Sequence, residues 1–290
     1  MTKCGIVALA GLPNAGKSTL LNALVGEPLA IVSSKPQTTR LPVQGLITEG
    51  DVQLVLVDPA GLLVPAYPLQ EAMRRAALAA IEGADVVLQV HRLADHPAPP
   101  LERLLGDARR LPERRLLAYT QADLVPAARR PALEAGALGV SAVSGEGMAA
   151  LRAAVRAALP EGPFLHDADD VGTQPLRFFA AEFIREAVFA ELRQELPYAV
   201  AVQVDAFRER ERGVYIRATL AVERESQKPI VLGKGGRIIK AVGTAARLRI
   251  AALLGRPTHL DLWVTVWPGW RSDAARLSQL GLPLAKERER

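Results

Sequence analysis

The sequence predicts two folded units: an α/β unit over residues 3–161 built on a mostly parallel sheet, and a smaller α+β unit over 176–285. A polar connector over 162–175 joins them. Three observations carry this reading. Apolar strand-like runs alternate with helical patterns through the first half, which means a parallel sheet covered by helices. A strand, a glycine-rich loop and a helix follow one another at its start. After Pro160-Glu-Gly-Pro163 the order changes to α-β-β-α-α-β. The length of 290 residues also fits about two domains of ~150 residues each.

In chain order, Ile6–Ala10 reads as a buried strand and Thr19–Val25 as a helix. Strands follow at Val52–Val57, Ala84–Val90, Arg115–Tyr119 and Ala137–Val140, with helices at Leu69–Ile81, Pro100–Arg110 and Met148–Leu159. Ligands of such sheets sit at the carboxyl ends of the strands, and each motif described below falls at one. Asp167-Ala-Asp-Asp170 and Pro175 mark the connector. Beyond it come a helix (Leu176–Leu196), a strand (Tyr198–Phe207), a solvated charged turn (Arg208–Gly213) and a second strand (Val214–Glu223). Two helices flank Gly233-Lys-Gly-Gly236, and a last strand runs His259–Val266. That last strand is apolar on both faces, so Trp263 is expected in the core rather than stacked on a base. The position of Trp270 is left open between those two roles. Lys286–Arg290 is expected to fray.

Composition bounds the partners. One cysteine, Cys4, excludes a disulfide framework and fits a reducing cytosol. No apolar run approaches the ~18 residues that span a bilayer. The chain enters a predicted strand almost at once, so no signal peptide is expected. A net charge of +5 favours an anionic partner, nucleic acid or a membrane surface. Lysines number only seven. One falls in the glycine-rich loop, and three more lie between Lys228 and Lys240.

Gly11-Leu-Pro-Asn-Ala-Gly-Lys-Ser18 fits G-x-x-x-x-G-K-[ST], a phosphate-binding loop. Its glycines let backbone amides close around phosphate oxygens, and the helix N-terminus adds partial positive charge. Gly11, Pro13, Asn14, Ala15, Gly16 and Thr19 are the expected cradle. Lys17 reaches the β- and γ-phosphates, and Ser18 holds Mg²⁺. Four further elements point to a guanine nucleotide. In Asp58-Pro-Ala-Gly61, Asp58 serves Mg²⁺ through a water and the Gly61 amide serves the γ-phosphate. In Pro36-Gln-Thr-Thr-Arg40, Thr38 or Thr39 gives a hydroxyl to Mg²⁺ and an amide to the γ-phosphate, a contact that exists only with triphosphate bound. In Thr120-Gln-Ala-Asp123, the Asp123 oxygens accept from guanine N1–H and N2–H₂, while Thr120 and Gln121 stand where asparagine and lysine are usual. Val140-Ser-Ala-Val-Ser-Gly145 fits the S-A-x element: Ser141 and Ala142 are expected at the nucleotide, with the Ala142 amide facing guanine O6. Taken singly, each of the four is also consistent with an ordinary polar turn; together and in order they are not.

Leu62 follows Gly61 where Ras-like enzymes carry a water-orienting glutamine, so turnover is expected to be slow. Asn14 is a candidate ligand for a monovalent cation such as K⁺ beside the phosphates, a charge that would act as an arginine finger does. In the second unit, Gly233-Lys-Gly-Gly236 is a G-x-x-G loop between apolar helical stretches, as in KH modules that clamp about four nucleotides of single-stranded nucleic acid. Gly233, Lys234, Gly235, Gly236, Lys228, Arg237 and Lys240 are its expected contacts. Two rivals stay open: a non-catalytic RNA binder that keeps an eroded nucleotide pocket as scaffold, and an ATPase.

With both halves read, the chain closely resembles the Era family of bacterial GTPases. The likeness is carried by Gly11–Leu24, Gln37–Arg40, Glu195–Tyr198, Val222–Lys228, the loop around Gly233 and His259–Val264. The resemblance implies a P-loop GTPase domain with a mostly parallel sheet, followed by an α+β type II KH domain. It implies GTP and GDP as ligands, with Lys17, Thr39, Asp58 and Gly61 at the reacting phosphate. It also implies binding near the 3′ end of 16S ribosomal RNA, a role in maturing the 30S subunit, and a cytoplasmic, monomeric protein with peripheral contact to the cell membrane. Leu62 matches the family's hydrophobic residue; Pro59-Ala60 and Thr120-Gln121 depart from its pattern.

Overall fold

A computed structural model describes residues 1–33, 35–106 and 111–283. The chain divides into two compact units: Met1–Ala66 with Met73–Thr173, and Tyr67–Ala72 with Gln174 onward.

The first unit opens with β1 (Lys3–Ala10), the glycine-rich loop and α1 (Lys17–Val25). It continues through β2 (Val43–Glu49), β3 (Val52–Asp58), α2 (Pro68–Glu82, whose residues up to Ala72 group with the second unit), β4 (Val86–Arg92), α3 (Leu101–Leu105), β5 (Arg114–Thr120), β6 (Leu138–Gly139) and α4 (Met148–Ala158). The six strands form one sheet in the order β2-β3-β1-β4-β5-β6. All neighbours are parallel except β2 and β3, which pair antiparallel. β3 is buried along its whole length and β4 along all but Arg92, as expected of parallel strands covered on both faces. The antiparallel β2 was not among the predicted strands. Its sequence, Val-Gln-Gly-Leu-Ile-Thr-Glu, has a glycine inside and polar residues at intervals, which hides the alternation. The predicted helix Pro100–Arg110 is the short α3; its last four residues lie outside the described ones.

Residues 162–173 do not leave the first unit as a free tether. The fully buried Gln53 side chain accepts from the amides of Leu165 (2.8 Å) and His166 (3.0 Å) and donates to the His166 carbonyl (2.8 Å). The Leu46 amide of β2 donates to the Val171 carbonyl at 3.0 Å, and the Thr173 hydroxyl donates to Gln44. This segment therefore covers an edge strand that would otherwise expose its amides.

The second unit comprises α5 (Leu176–Glu191), α6 (Leu196–Ala199), β7 (Ala201–Arg210), β8 (Gly213–Val222), α7 (Lys228–Leu232), α8 (Arg237–Leu254), β9 (Thr258–Val266) and α9 (Ala274–Gln279). Its sheet runs β7-β8-β9, antiparallel then parallel. On β8, Val214, Ile216, Ala218, Leu220 and Val222 are buried and face the helices, while Tyr215, Arg217 and Thr219 alternate outward. α5 buries Phe179, Phe183, Ala187 and α8 buries Val242, Ala246, Ile250, both at helical spacing.

Three expectations are corrected here. The predicted helix Leu176–Leu196 stops at Glu191, and Tyr198 belongs to the short α6, whose Pro197 starts a new turn rather than a strand. The charged turn shrinks, because β7 extends to Arg210 and β8 begins at Gly213. Trp263 is not in the core: it is 62 % exposed on the outer sheet face, because helices cover only one side of β9. Trp270 is the buried one, fully enclosed, with its indole N–H donating to the Ala199 carbonyl at 2.9 Å. The last two residues of the predicted 176–285 unit, and the tail Lys286–Arg290, lie outside the described residues.

The two tryptophans should therefore differ in stability experiments. Trp270→Ala should destabilise the second unit by about 3–5 kcal/mol, the range for emptying a large aromatic site. Trp263→Ala should stay within about 0.5 kcal/mol. Urea unfolding followed by circular dichroism checks both.

Candidate guanine-nucleotide site and nucleic-acid groove

At the carboxyl ends of β1, β3 and β4, the glycine-rich loop borders a cavity of about 260 Å³. Pro13, Asn14, Gly16, Lys17, Ser18, Thr19, Thr38, Thr39, Gly61 and Gln121, all expected site residues, line it. Gly61 is required where it stands: a Cβ there would lie 2.6 Å from the Pro13 nitrogen, so only glycine lets the two loops meet. The Leu62 amide donates to the Gly11 carbonyl at 3.0 Å, and its side chain is buried in the core beneath.

Asp58 ends β3 completely buried. Its Oδ2 accepts from the Ser18 hydroxyl at 2.5 Å and from the Thr39 hydroxyl at 3.5 Å, and those two hydroxyls lie 3.2 Å apart. Three oxygens from three segments thus converge, and it is Thr39 rather than Thr38 that joins them. Asp58 Oδ1 has no hydrogen-bond partner among the described residues. An orphaned carboxylate oxygen beside two hydroxyls is a hard, all-oxygen donor set of the kind Mg²⁺ takes together with phosphate and water. Burial pushes the Asp58 carboxyl above the usual carboxylate range, and the Lys17 charge and the two hydroxyls draw it back. Burial likewise pulls the Lys17 ammonium down, with Asp58 opposing. Lys17 Nζ donates to the carbonyls of Gly11 (3.3 Å) and Leu12 (3.1 Å).

At the corner expected to read guanine, the buried Thr120 hydroxyl donates to the Ala15 carbonyl at 2.7 Å, with the His91 carbonyl at 3.1 Å, so it tethers the glycine-rich loop. Gln121, in a left-handed conformation at φ 57°, donates through Nε2 to the Asn14 carbonyl at 3.2 Å. Both departures from the family pattern therefore grip the loop. Asp123 follows, exposed on a short 3-10 turn. Ser141 is buried, and its hydroxyl accepts from the Ser144 amide at 3.0 Å, closing the turn. The Ala142 amide has no partner among the described residues.

Two residues missed in the sequence belong to this site. Arg92, at the end of β4, borders the cavity and pairs with Asp95. Arg130 donates to the carbonyls of Ala122 (2.8 Å) and Val125 (3.0 Å) and forms a bidentate pair with Glu146. The Glu146 carbonyl in turn accepts from the Ser141 amide at 2.8 Å. One guanidinium therefore ties the Asp123 loop to the Ala142 loop. Glu146 lies below the usual carboxylate range and Arg130 above its ordinary value, each because of the other. Nothing in the sequence singles out Arg130 among so many arginines.

In the second unit, Gly233, Gly235 and Gly236 all have positive φ, at 72°, 62° and 76°. A Cβ on Gly233 would lie 2.7 Å from the Ile238 side chain, which makes glycine obligatory there. The loop delivers the chain into the 18-residue α8, with Lys234, Arg237 and Lys240 exposed along it and Lys228 half-buried at the start of α7. A groove of about 890 Å³ runs alongside, bordered by Arg237, Ile238, Ile230 and Arg224 and by the segment after α5. Of the expected contacts only Arg237 lines it.

A phosphate-binding loop with a guanine-reading corner, followed by a G-x-x-G unit, defines a two-domain GTPase with a KH domain. Residues 6–121 match the family model described as 50S ribosome-binding GTPase, and residues 195–271 match the KH domain model. The GTPase Era of Afipia carboxidovorans is 42% identical over 99% of this chain and 96% of its own. That of Thermotoga maritima is 40% identical over 97% of each. Among solved structures, a point variant of Aquifex aeolicus Era bound to GDP·AlF₄⁻ superposes with a TM-score of 0.89 at 31% identity, over 97% of this chain and 99% of that one. Era in complex with MgGDPNP and nucleotides 1506–1542 of 16S ribosomal RNA gives 0.90 at 31% identity over the same shares. The chain belongs to the Era GTPase family.

Two substitutions away from the phosphates should expose the tethers. Thr120→Val removes a hydroxyl of nearly the same shape and leaves a buried carbonyl short of its donor, so GDP affinity should fall about tenfold. Arg130→Ala should weaken GDP to a similar degree, and adding Glu146→Ala should cost little more, since the two act as one unit. Titration with a fluorescent GDP analogue reads all four proteins.

Proposed function

We propose that this chain is a Mg²⁺-dependent, GTP-hydrolysing switch that binds 16S ribosomal RNA near its 3′ end and assists maturation of the 30S subunit. The observation that carries the switch is the meeting of Ser18, Thr39 and Asp58 beside Lys17. Thr39 comes from the segment before β2, so its place among these oxygens is the part that a γ-phosphate can stabilise and GDP cannot. The loop amides from Asn14 to Thr19 and the Lys17 ammonium hold the β- and γ-phosphates. Ser18, Thr39 and Asp58 would hold Mg²⁺, which supplies charge neutralisation across those phosphates. Asp123 accepts from the guanine N1–H and N2–H₂, and the Ala142 amide donates to O6.

In hydrolysis, water attacks the γ-phosphorus, the bond to the β-phosphate oxygen breaks, and GDP and phosphate leave. Leu62 is buried and apolar, so no side chain at that position aligns the water. Turnover is accordingly slow. Asn14 remains the candidate for holding K⁺ against the phosphates. It lines the cavity, with a φ of 61°.

The RNA reading is supported by the glycine geometry of residues 233–236, by the basic residues around it, and by the relative solved with 16S nucleotides 1506–1542. The coupling we favour runs through β2, which follows the Thr39 segment directly and is hydrogen-bonded along its free edge to the chain leading into the second unit. We further propose a monomer in the cytoplasm, with peripheral contact to the cell membrane. No helix among the described residues is long and apolar enough to cross one.

Four measurements test this reading. Lys17→Ala should abolish GTP turnover. Asp123→Asn should shift preference from GTP towards xanthosine triphosphate, whose base matches an acceptor–donor pair; unchanged GTP preference would remove Asp123 as the base reader. K⁺ should exceed Na⁺ in supporting turnover, and equal rates at matched ionic strength would remove the Asn14 role. A pyrimidine-rich 3′-end oligonucleotide should bind more tightly with a GTP analogue than with GDP; equal affinities would break the coupling.

A further inference from the structure

The face of the second sheet turned away from α5 and α8 carries aromatic rings and arginines. Tyr215 of β8 stacks on His259 of β9, with ring centroids 5.7 Å apart and an interplanar angle of 14°. Arg210 lies over the Tyr215 ring at 5.1 Å, and Arg208 stands opposite Tyr215 across the β7–β8 pair. A basin of about 310 Å³ opens among Tyr215, His259, Arg210 and Arg212. Further along the same face of β9 stands Trp263, 62 % exposed. Strand geometry sets it about 13 Å from His259, roughly four base-stacking spacings.

The charges on this face are not balanced. Asp205 accepts from the Thr219 hydroxyl at 2.7 Å, and Asp261 accepts from the Tyr215 hydroxyl at 2.8 Å and meets the His259 ring at 3.0 Å. Both carboxylates are thus engaged within the sheet. Arg208 and Arg212 have no acidic partner among the described residues. Aromatic faces spaced along a strand, with unneutralised guanidinium groups beside them, match the chemistry of single-stranded nucleic acid: bases stack and phosphates meet arginine. A protein interface would instead centre on a patch depleted of charge.

We infer that this outer sheet face is a second RNA-binding surface, on which unpaired bases stack on Trp263 and on the Tyr215–His259 pair while Arg208, Arg210 and Arg212 take phosphates. It rests on the RNA-binding reading of the second unit, and it extends the footprint beyond the about four nucleotides that a G-x-x-G groove holds.

The test compares two probes, a ribosomal 3′-end RNA of 37 nucleotides (1506–1542) and a tetranucleotide from its single-stranded tail. Wild type, Trp263→Ala, Trp263→Phe and Gly235→Asp are titrated with each, after equal melting temperatures have been verified. Trp263→Ala should weaken the long RNA at least about fivefold, as loss of a base–aromatic stack does, and leave the tetranucleotide unchanged. Trp263→Phe should keep most of the affinity, and Gly235→Asp should weaken both probes. Equal affinity of wild type and Trp263→Ala for the long RNA, with Gly235→Asp still defective, would overturn the second surface alone and leave the face to a protein partner. Failure of wild type to bind either RNA would overturn the RNA reading and this surface with it.

Discussion

The Asp58 carboxylate lies fully buried at the end of β3, facing the Lys17 ammonium and the hydroxyls of Ser18 and Thr39. A charge taken out of water is tolerated only where opposite charge and hydrogen bonds replace its hydration. The lysine comes from the phosphate loop, one hydroxyl from the start of α1 and the other from the segment ahead of β2. The strand end, the loop and that segment are therefore held to one another by a single carboxylate, and removing any partner leaves a buried polar group unsatisfied. The Asp58 oxygen that has no partner among the described residues is what suits the cluster to the proposed Mg²⁺ as well as to its structural role.

The base end of the site follows a second constraint. The residues that differ from the family pattern do not leave a gap. Thr120 and Gln121 each donate to a carbonyl of the phosphate loop, at Ala15 and Asn14. The loop that carries Asp123 is thereby fixed to the loop that holds the phosphates, and Arg130 with Glu146 fixes it on the other side to the Ser141–Ala142 turn. The Asp123 loop and the Lys17 loop are in this way parts of one hydrogen-bonded framework.

Much of this was legible in the sequence, for physical reasons that can be named. Buried parallel strands such as Val52–Val57 read as continuous apolar runs, and the phosphate loop has so few conformations open to it that its glycines and lysine identify it. The order of elements in the second unit, with G-x-x-G between two helices, was equally plain. What stayed hidden depends on contacts distant in the chain. β2 lacked a clean alternation because Gly45 and the polar Gln44, Thr48 and Glu49 interrupt it. Gln53 gave no sign that it would clasp the segment after α4. Trp263 was misjudged, and Trp270 left undecided, because a strand's apolar pattern says which residues share a face, not which face the helices cover. The bond from the Thr120 hydroxyl to the Ala15 carbonyl likewise joins residues far apart in the chain, which its place in a motif does not reveal.

Hydrogen–deuterium exchange across residues 35–42, in Mg²⁺ with a non-hydrolysable GTP analogue and then with GDP, addresses the Thr39–Ser18–Asp58 meeting most directly. Strong protection of that segment with the triphosphate alone, lost when Mg²⁺ is chelated, is the expected result. Equal protection in both nucleotides, or protection indifferent to Mg²⁺, would contradict it.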